Sequence, residues 1–263
     1  MDNNTTNSGM EKNNVLYTSL AIIVAGALIA GAIYFTKTSP SNPIKNTPVT
    51  TQSPRAISAS DHILGNPDAE VIVIEYGDTE CPPCKTFHTT MEQVMDKYAK
   101  SGEVAWVFRH MPIAGLHQKA QKEAEATECA YEQGGNTAFW NFITKIYEIT
   151  PSNDGLDPNM LTTIAKDQKL DVAKFTECLT TGKYTDKVNA DYTDGLIATN
   201  NRPGTPFVRI ITKEKITSAM ITKIDSIFGP GEINFGSEGQ SATIAGALPF
   251  QYFDMILQTL LGK

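Results

Sequence analysis

Two cysteines separated by two prolines form the most reactive motif in this 263-residue sequence. Cys81 and Cys84 lie at the predicted start of a helix, shortly after a predicted strand. Thiol–disulfide exchange requires a thiolate that attacks a disulfide and a second thiol that resolves the product. The positive end of a helix dipole lowers the pKa of a cysteine placed there. The spacing therefore predicts that Cys81 is the exposed nucleophile and that Cys84, one turn deeper, is the shielded resolving thiol.

Two structural roles for the same pair remain open, because two closely spaced cysteines can also form a zinc half-site or a static disulfide. A zinc site made of thiolates would require a second pair of cysteines or histidines. The remaining cysteines are distant in sequence, and His88, His110 and His117 have no spacing typical of metal ligands. Because the pair follows a strand and opens a helix, we predict a redox function, no metal and no cofactor.

The residues around the cysteine pair predict a mixed α/β fold. Short β-branched runs are typical of buried strands, and apolar residues at helical spacing predict the helix between them. In chain order, the predicted elements are strand 71–76, a helix from Cys81 to about Ser101, strand 103–110, helices across 117–200, strand 207–211, strand 242–248 and a helix from Pro249. This order predicts a small central mixed sheet flanked by helices, with an all-helical domain inserted into it.

The composition changes along the chain and indicates a tethered domain. One uncharged apolar run is long enough to cross a bilayer, and the segment after it, rich in proline, serine and threonine, is typical of a flexible stalk. The predicted segments are a polar tail over 1–14, a transmembrane signal anchor over 15–35, a stalk over 36–60, a sheet domain over 61–116 and 201–263 with an atypical insertion at 212–241, and a helical domain over 117–200.

The side of the membrane on which the folded part lies depends on two conflicting signals. Lys37, Lys45 and Arg55 follow the apolar run, and the positive-inside rule alone would place the domain in the cytoplasm. Large domains translocate largely regardless of such charges, and the predicted cysteine chemistry favours an oxidising compartment. We therefore predict an extracytoplasmic domain, while Ala30 and Ala32 leave cleavage of the apolar segment open.

The overall composition excludes several classes of protein. The net charge of −7 and the isoelectric point near 5.2 argue against a nucleic-acid binder that relies on positive charge. A mean hydropathy of −0.22 excludes a polytopic membrane protein, and four cysteines are too few for a disulfide-dense miniprotein.

Three segments together resemble the DsbA-like branch of the thioredoxin superfamily. VIVIEYGDTECPPCKTFH is similar to the active-site segment, Gly204-Thr205-Pro206 to the Thr–cis-Pro loop, and GALP before the last helix to the final segment of that family. The helical block at 117–200 is similar to the helical domain inserted in the same branch. The resemblance runs from about residue 57 to the end of the chain, except for 212–241. It implies a thioredoxin fold with an inserted helical domain and the activity of a thiol:disulfide oxidoreductase.

The resemblance also implies roles for three residues outside the cysteine pair. Pro206 would form a cis peptide bond beside the thiol, although a lone proline by itself indicates an ordinary trans turn. Thr205 would offer backbone hydrogen bonds to an extended substrate peptide. Glu75 would be a buried acid behind Cys84 that accepts the proton of this thiol. The alternative for Glu75 is a carboxylate at the strand edge, either exposed or paired with Arg109.

The dipeptide between the cysteines departs from the family pattern. Pro82-Pro83 stands where strongly oxidising members have Pro-His. A histidine can stabilise the thiolate, whereas proline has no donor and also removes a backbone N–H. We therefore predict that Pro82 and Pro83 tune the pair towards a less stabilised thiolate and a less oxidising couple.

The other two cysteines lie in the helical block among apolar neighbours. In an oxidising compartment, two remaining thiols in one domain are expected to be bonded, so we predict a structural disulfide between Cys129 and Cys178. The alternative is two buried reduced cysteines that act as small hydrophobic residues.

These observations predict a membrane-anchored, extracytoplasmic oxidoreductase that forms disulfides in exported proteins. Its substrates would be exported proteins that contain cysteine, and its N-terminal helix would lie in the membrane. The resemblance implies a membrane redox partner that reoxidises or reduces the pair, and no nucleic acid is expected. A reductase or isomerase of the same fold remains an alternative, as does a tethered binding module whose Cys81–Cys84 disulfide is only structural.

Overall fold

The computed structural model describes residues 52–263, in which six strands form one mixed sheet. The strands are β1 (His62–Gly65), β2 (Val71–Gly77), β3 (Val104–His110), β4 (Phe207–Thr212), β5 (Asn234–Phe235) and β6 (Ser241–Ala245). Their order across the sheet is β1-β3-β2-β4-β6-β5. Only β2 and β3 run parallel, whereas the other neighbouring strands of this sheet are antiparallel. The predicted mixed sheet is thus confirmed.

Seven helices accompany this sheet within the described residues. They are α1 (Pro82–Tyr98), α2 (Ala120–Ile149), α3 (Asn159–Asp167), α4 (Val172–Thr181), α5 (Thr185–Ala198), α6 (Ser218–Phe228) and α7 (Phe250–Leu260). Gly135 interrupts α2 with a φ of 62°, a conformation that glycine adopts without steric cost. Because α2 to α5 lie between β3 and β4 in the chain, they form the helical insertion that the sequence predicts.

The central strand β2 is buried on both faces, which explains its unbroken apolar sequence. Side chains alternate along a strand, so residues of β2 face two different layers. Val73 packs in the core that contains α1 and α7, whereas Ile74 and Tyr76 pack in a second cluster that includes residues of α5. The carboxyl group of Glu75 lies on the α1 side, where it accepts a hydrogen bond from Trp106.

The helical segment has its own core, which the disulfide and an aromatic pair hold together. Cys129 of α2 and Cys178 of α4 are bonded, with a Cα–Cα distance of 5.9 Å. The rings of Phe142 and Phe175 stack at 5.4 Å. Because α2 also contributes Phe139 to the core of the sheet domain, it connects the two cores.

Two short strands were not predicted from the sequence. β1 pairs antiparallel with β3, and β5 pairs antiparallel with β6 inside the segment 212–241. The same segment contains α6, whose Ile224 is buried in the core, so it extends both the sheet and its helical layer. β1 has four residues and β5 has two, which is too short for a periodic pattern to indicate them.

Residues 52–60 form neither helix nor strand, but Arg55 attaches them to the domain. Its guanidinium bonds Asp61 at 2.7 Å and Asp191 of α5 at 2.8 Å. The final part of the predicted stalk is therefore held against the folded domain. The predicted tail over 1–14, the anchor over 15–35 and the stalk up to residue 51 lie outside the described residues. Between residues 52 and 263, none of the helices combines the length and the apolar character that crossing a bilayer requires.

Candidate active site

Cys81 is the N-cap residue of α1, and Cys84 lies in the first turn of this helix. The extended backbone of Cys81, with φ −83° and ψ 119°, places its sulfur at the helix N-terminus. Both cysteines are free thiols. Cys84 is fully buried, as predicted for a resolving thiol, but Cys81 is only 6% exposed. The nucleophile is therefore more covered than the sequence predicts.

The surroundings of the two sulfur atoms shift their pKa values in opposite directions. A hydrogen bond from the Cys84 thiol, with smaller contributions from Thr205 and the Cys84 amide, lowers the pKa of Cys81 to about 6, although burial opposes this effect. Burial, and next the neighbouring Cys81, raise the pKa of Cys84 well above the ordinary thiol value. At neutral pH the pair therefore consists of a thiolate at Cys81 and a protonated thiol at Cys84.

The loop before β4 brings Thr205 and Pro206 against the nucleophile. The Thr205–Pro206 peptide bond is cis. The Cys81 sulfur lies 3.3 Å from the Thr205 carbonyl oxygen, to which it donates a hydrogen bond when it is protonated, and the Pro206 carbonyl accepts a hydrogen bond from Gly246 at 2.9 Å. These contacts bring together two segments that are 124 residues apart in the chain.

Glu75 lies fully buried behind the cysteine pair. Its Oε2 atom accepts a hydrogen bond from the Trp106 indole at 3.1 Å, and its Oε1 atom has no partner. Burial raises the pKa of Glu75 to about 8, and the charge of Cys81 adds to this rise. The alternative pairing with Arg109 does not occur, because the Arg109 guanidinium instead bonds Asp61 at 2.8 Å.

Pro82 and Pro83 occupy the first turn of α1, and both are exposed. Neither residue has a backbone N–H or a polar side chain, so neither donates to the Cys81 sulfur. In this turn, the backbone donor to that sulfur is the amide of Cys84.

Two buried glutamates next to the pair were not found from the sequence. Glu80 precedes the nucleophile, and its carboxylate accepts hydrogen bonds from Thr150 and from the amides that follow it in the 150–156 loop. Burial and a hydrogen bond with Glu80 raise the pKa of Glu123 in α2 to about 9. The acidic run before Cys81 could have indicated Glu80, whereas nothing in the helical sequence marks Glu123.

Asp78 and His117 form a second polar group that the sequence did not indicate. Asp78 follows β2, and its Oδ2 atom is 2.9 Å from Nδ1 of His117. The same oxygen accepts a hydrogen bond from the Ile113 amide at 2.7 Å. Both side chains are almost completely buried.

Three buried residues elsewhere have the donor types of a metal site. His62, His110 and Glu128 place one potential ligand atom each within 4.8 Å of one another, although the sequence predicts no metal. Both imidazole Nε2 atoms already contact Glu128 Oε1, at 2.8 and 3.1 Å. The Lys187 ammonium lies 3.6 Å from the same oxygen and opposes a cation there. The cysteine pair is not part of this cluster.

A cleft of about 790 Å³ begins at Pro82 and follows the exposed face of α1. Its walls are the polar side chains of α1, the loop 151–153 and the beginning of α7. Thr89 and Gln93 are among the residues of α1 that line it. Cys81 is not among the residues that line this cleft, but its chain neighbour Pro82 is.

Comparison with known proteins finds a matching family model and several relatives of similar sequence. A family model described as Thioredoxin matches residues 58–225. The chain is 31% identical over 133 residues to a probable disulfide bond formation protein D of Bacillus anthracis, which covers 49% of this chain and 60% of that protein. It is 36% identical over 119 residues to the Na(+)/H(+) antiporter NhaA 3 of Salinispora tropica, which covers 45% of this chain but only 17% of the antiporter.

Solved structures share the fold at low sequence identity. The crystal structure of Wolbachia pipientis alpha-DsbA1 has a TM-score of 0.59 and 23% identity, and the match covers 78% of this chain and 93% of that one. Oxidised BdbD from Bacillus subtilis has a TM-score of 0.58 and 20% identity, over 80% of this chain and 98% of that one. The helical insertion is thus part of a known form of the fold.

Proposed function

The chain belongs to the thioredoxin family, in its DsbA-like form, and on this premise we propose that it exchanges thiols and disulfides through Cys81 and Cys84. The main support for this proposal is that, within one helical turn, the pKa of Cys81 is lowered and the pKa of Cys84 is raised. A thiolate at the N-terminus of a helix and a buried neutral thiol behind it are the two groups that exchange requires.

The reaction starts from the oxidised pair. A substrate thiolate attacks Cys81, the Cys81–Cys84 bond breaks, and a substrate–Cys81 disulfide forms while Cys84 leaves as a thiolate. A second substrate thiolate then attacks the substrate sulfur of this mixed disulfide and releases Cys81. The substrate is oxidised by two electrons, and the pair is reduced. A thiol of low pKa is a good leaving group, which favours release of Cys81 in the second step.

Glu75 is suited to move the proton of Cys84. With its pKa raised to about 8 by burial, the carboxyl group is mostly protonated at neutral pH. It can therefore donate a proton to the Cys84 thiolate as this leaves, and it can accept the proton again when the pair is reoxidised. The unpartnered Oε1 atom leaves one side of the carboxyl group free for this exchange.

Thr205 and Pro206 are suited to bind the substrate next to the nucleophile. Once Cys81 is ionised or disulfide-bonded, it no longer donates to the Thr205 carbonyl, and this acceptor becomes available to a substrate amide. An extended peptide that pairs with this backbone would present its own sulfur to Cys81.

We further propose that the protein is anchored in the membrane and oxidises the thiols of exported proteins. The uncharged run over 15–35 supports an anchor, and the Cys129–Cys178 disulfide is in keeping with an oxidising compartment outside the cytoplasm. The name of the Bacillus relatives, probable disulfide bond formation protein D, supports the oxidising direction. A membrane redox partner would then reoxidise the pair. A reductase or isomerase is the second candidate, because Pro82 and Pro83 provide no donor to the Cys81 thiolate.

Trapping with single-cysteine variants tests the exchange itself. Cys84→Ser keeps the nucleophile but cannot resolve a mixed disulfide, so its Cys81 thiolate should attack a peptide that contains a disulfide, displace one peptide thiolate and accumulate as a covalent complex that reducing agent releases. Cys81→Ser should form no such complex. Equal trapping by both variants would contradict the assignment of the nucleophile, and absence of exchange by the wild-type protein would leave only a structural disulfide.

Three further assays separate the possible directions of the reaction. Oxidation of a reduced peptide indicates an oxidase, reduction of insulin a reductase, and refolding of scrambled ribonuclease an isomerase.

A further inference from the structure

Asp78 connects the cysteine pair to a histidine outside the active-site helix. Its backbone carbonyl accepts a hydrogen bond from the Cys81 amide at 3.1 Å, and its amide donates to the Cys84 sulfur at 3.5 Å. Its side chain extends to the loop after β3, where Oδ2 lies 2.9 Å from Nδ1 of His117. One residue thus contacts both cysteines through its backbone and His117 through its carboxylate.

The contact between Asp78 and His117 is shielded from water. The two residues are 1% and 6% exposed, so their charges are screened less than those of a surface pair. Burial lowers the pKa of His117, but the hydrogen bond and charge of Asp78, with smaller contributions from Cys81 and Asp154, raise it above the ordinary value overall. Lys119 follows His117 by two positions, and its ammonium is bonded to the backbone carbonyls of Asp154 and Leu156.

The charge of His117 matters because Asp78 alone would work against the nucleophile. The negative charge of Asp78 disfavours a thiolate at Cys81. A protonated His117 compensates this charge at a contact of 2.9 Å. Pro82 and Pro83 have no side-chain donor, and the ammonium of Lys85 in the same turn is bonded to the Thr150 carbonyl at 2.7 Å.

We propose that protonated His117, held by Asp78, is a positioning residue that stabilises the Cys81 thiolate from outside the Cys-Pro-Pro-Cys segment. The inference rests on the proposed exchange function and deepens it. It places a positive charge 36 positions after the nucleophile in the chain, outside the segment whose two prolines carry no charge. The reduced form gains most from this charge, so His117 makes the couple more oxidising than Pro82 and Pro83 alone indicate.

By thermodynamic linkage, if His117 stabilises the Cys81 thiolate, the thiolate must in turn raise the pKa of His117. Reduction creates a negative charge at Cys81, so the imidazolium should hold its proton more tightly in the reduced than in the oxidised protein. The benefit to the thiolate is present at a pH below the pKa of His117 and is lost as the pH rises through it. Two nearby carboxyl groups do not compete at neutral pH, because burial keeps Glu75 and Glu123 mostly protonated.

The first test compares His117→Asn with the wild-type protein after full reduction. Asparagine retains an N–H donor to Asp78 but has no charge. At a pH below the pKa of Cys81, the rate of its alkylation by iodoacetamide should fall roughly three- to tenfold. The equilibrium with glutathione should move by a similar factor towards the disulfide. Unchanged alkylation and an unchanged equilibrium would overturn the proposal.

A matched control is His88→Gln. His88 is also buried in this domain, but burial lowers its pKa to about 3, so it is uncharged at neutral pH and its loss should leave the alkylation rate unchanged. If His117→Asn fails to fold, NMR titration of the wild-type His117 ring provides the second measurement. A pKa that is higher in the reduced than in the oxidised protein is expected, and equal values in both states would refute the proposal.

Failure of this inference is distinguishable from failure of the proposed function. If the wild-type protein exchanges disulfides and His117→Asn does so with the same Cys81 reactivity, only the role of His117 is disproved. If wild-type Cys81 neither exchanges nor alkylates, the proposed function itself fails.

Discussion

Replacing Glu75 by glutamine should change how the stability of the protein depends on pH. Glu75 is completely buried, and its pKa of about 8 lies above the ordinary carboxyl value of 4.5. A raised pKa in the folded state means that folding favours the neutral acid. The contribution of Glu75 to stability is therefore complete below about pH 4.5 and is lost as the pH rises towards 8.

The size of this effect follows from the difference between the two pKa values. The difference between the pKa values is 8 − 4.5 = 3.5, and each pKa unit corresponds to about 1.4 kcal/mol. As the pH rises, the free energy of unfolding of the wild-type protein should therefore fall by at most about 5 kcal/mol relative to that of the variant. At neutral pH roughly 3 kcal/mol of this loss should already be present. Glutamine can still accept from Trp106, but its amide N–H groups lack a partner where Oε1 is now unpartnered. That cost does not depend on pH, so it does not affect how steeply the free energy of unfolding of each protein changes with pH.

Urea unfolding of the oxidised protein between about pH 5 and pH 9 measures this difference, because the thiols of the pair do not titrate in the disulfide. Without the charge of Cys81, the loss should be somewhat smaller than the upper value. Glu70→Gln changes the same atoms at an exposed position before β2 and should follow the wild-type profile. Parallel profiles for Glu75→Gln and the wild type would show that Glu75 ionises normally and would refute the argument from burial.

Two further predictions concern the cysteines. Alkylation of Cys81 in the reduced protein should rise with pH along a titration curve centred near 6, and a midpoint typical of free cysteine would contradict the proposed stabilisation of its thiolate. Replacing Cys129 and Cys178 together by alanine removes a crosslink between residues 49 positions apart, which should lower the free energy of unfolding by about 4 kcal/mol in denaturant titrations. An unchanged unfolding midpoint would show that the helical core alone holds α2 against α4.

Features that depend on short stretches of chain could be predicted from the amino-acid sequence. A β-branched run followed by Cys-Pro-Pro-Cys and a helical pattern predicted β2, α1 and the order of the two thiols, because strand, helix start and helix dipole are local properties. The long helical periodicity after β3 likewise predicted the insertion. The apolar run over 15–35 predicted an anchor in the same way, and that prediction lies outside the described residues.

Contacts between side chains that are distant in the chain could be read only from the three-dimensional fold. The contact between Asp78 and His117 joins residues 39 positions apart, and it depends on how the loops after two neighbouring parallel strands approach one another. The burial of Glu75 against Trp106 depends on the register of the same two strands. Such contacts leave no periodic pattern, because hydrophobic spacing specifies which face of an element is buried but not which polar groups are enclosed with it.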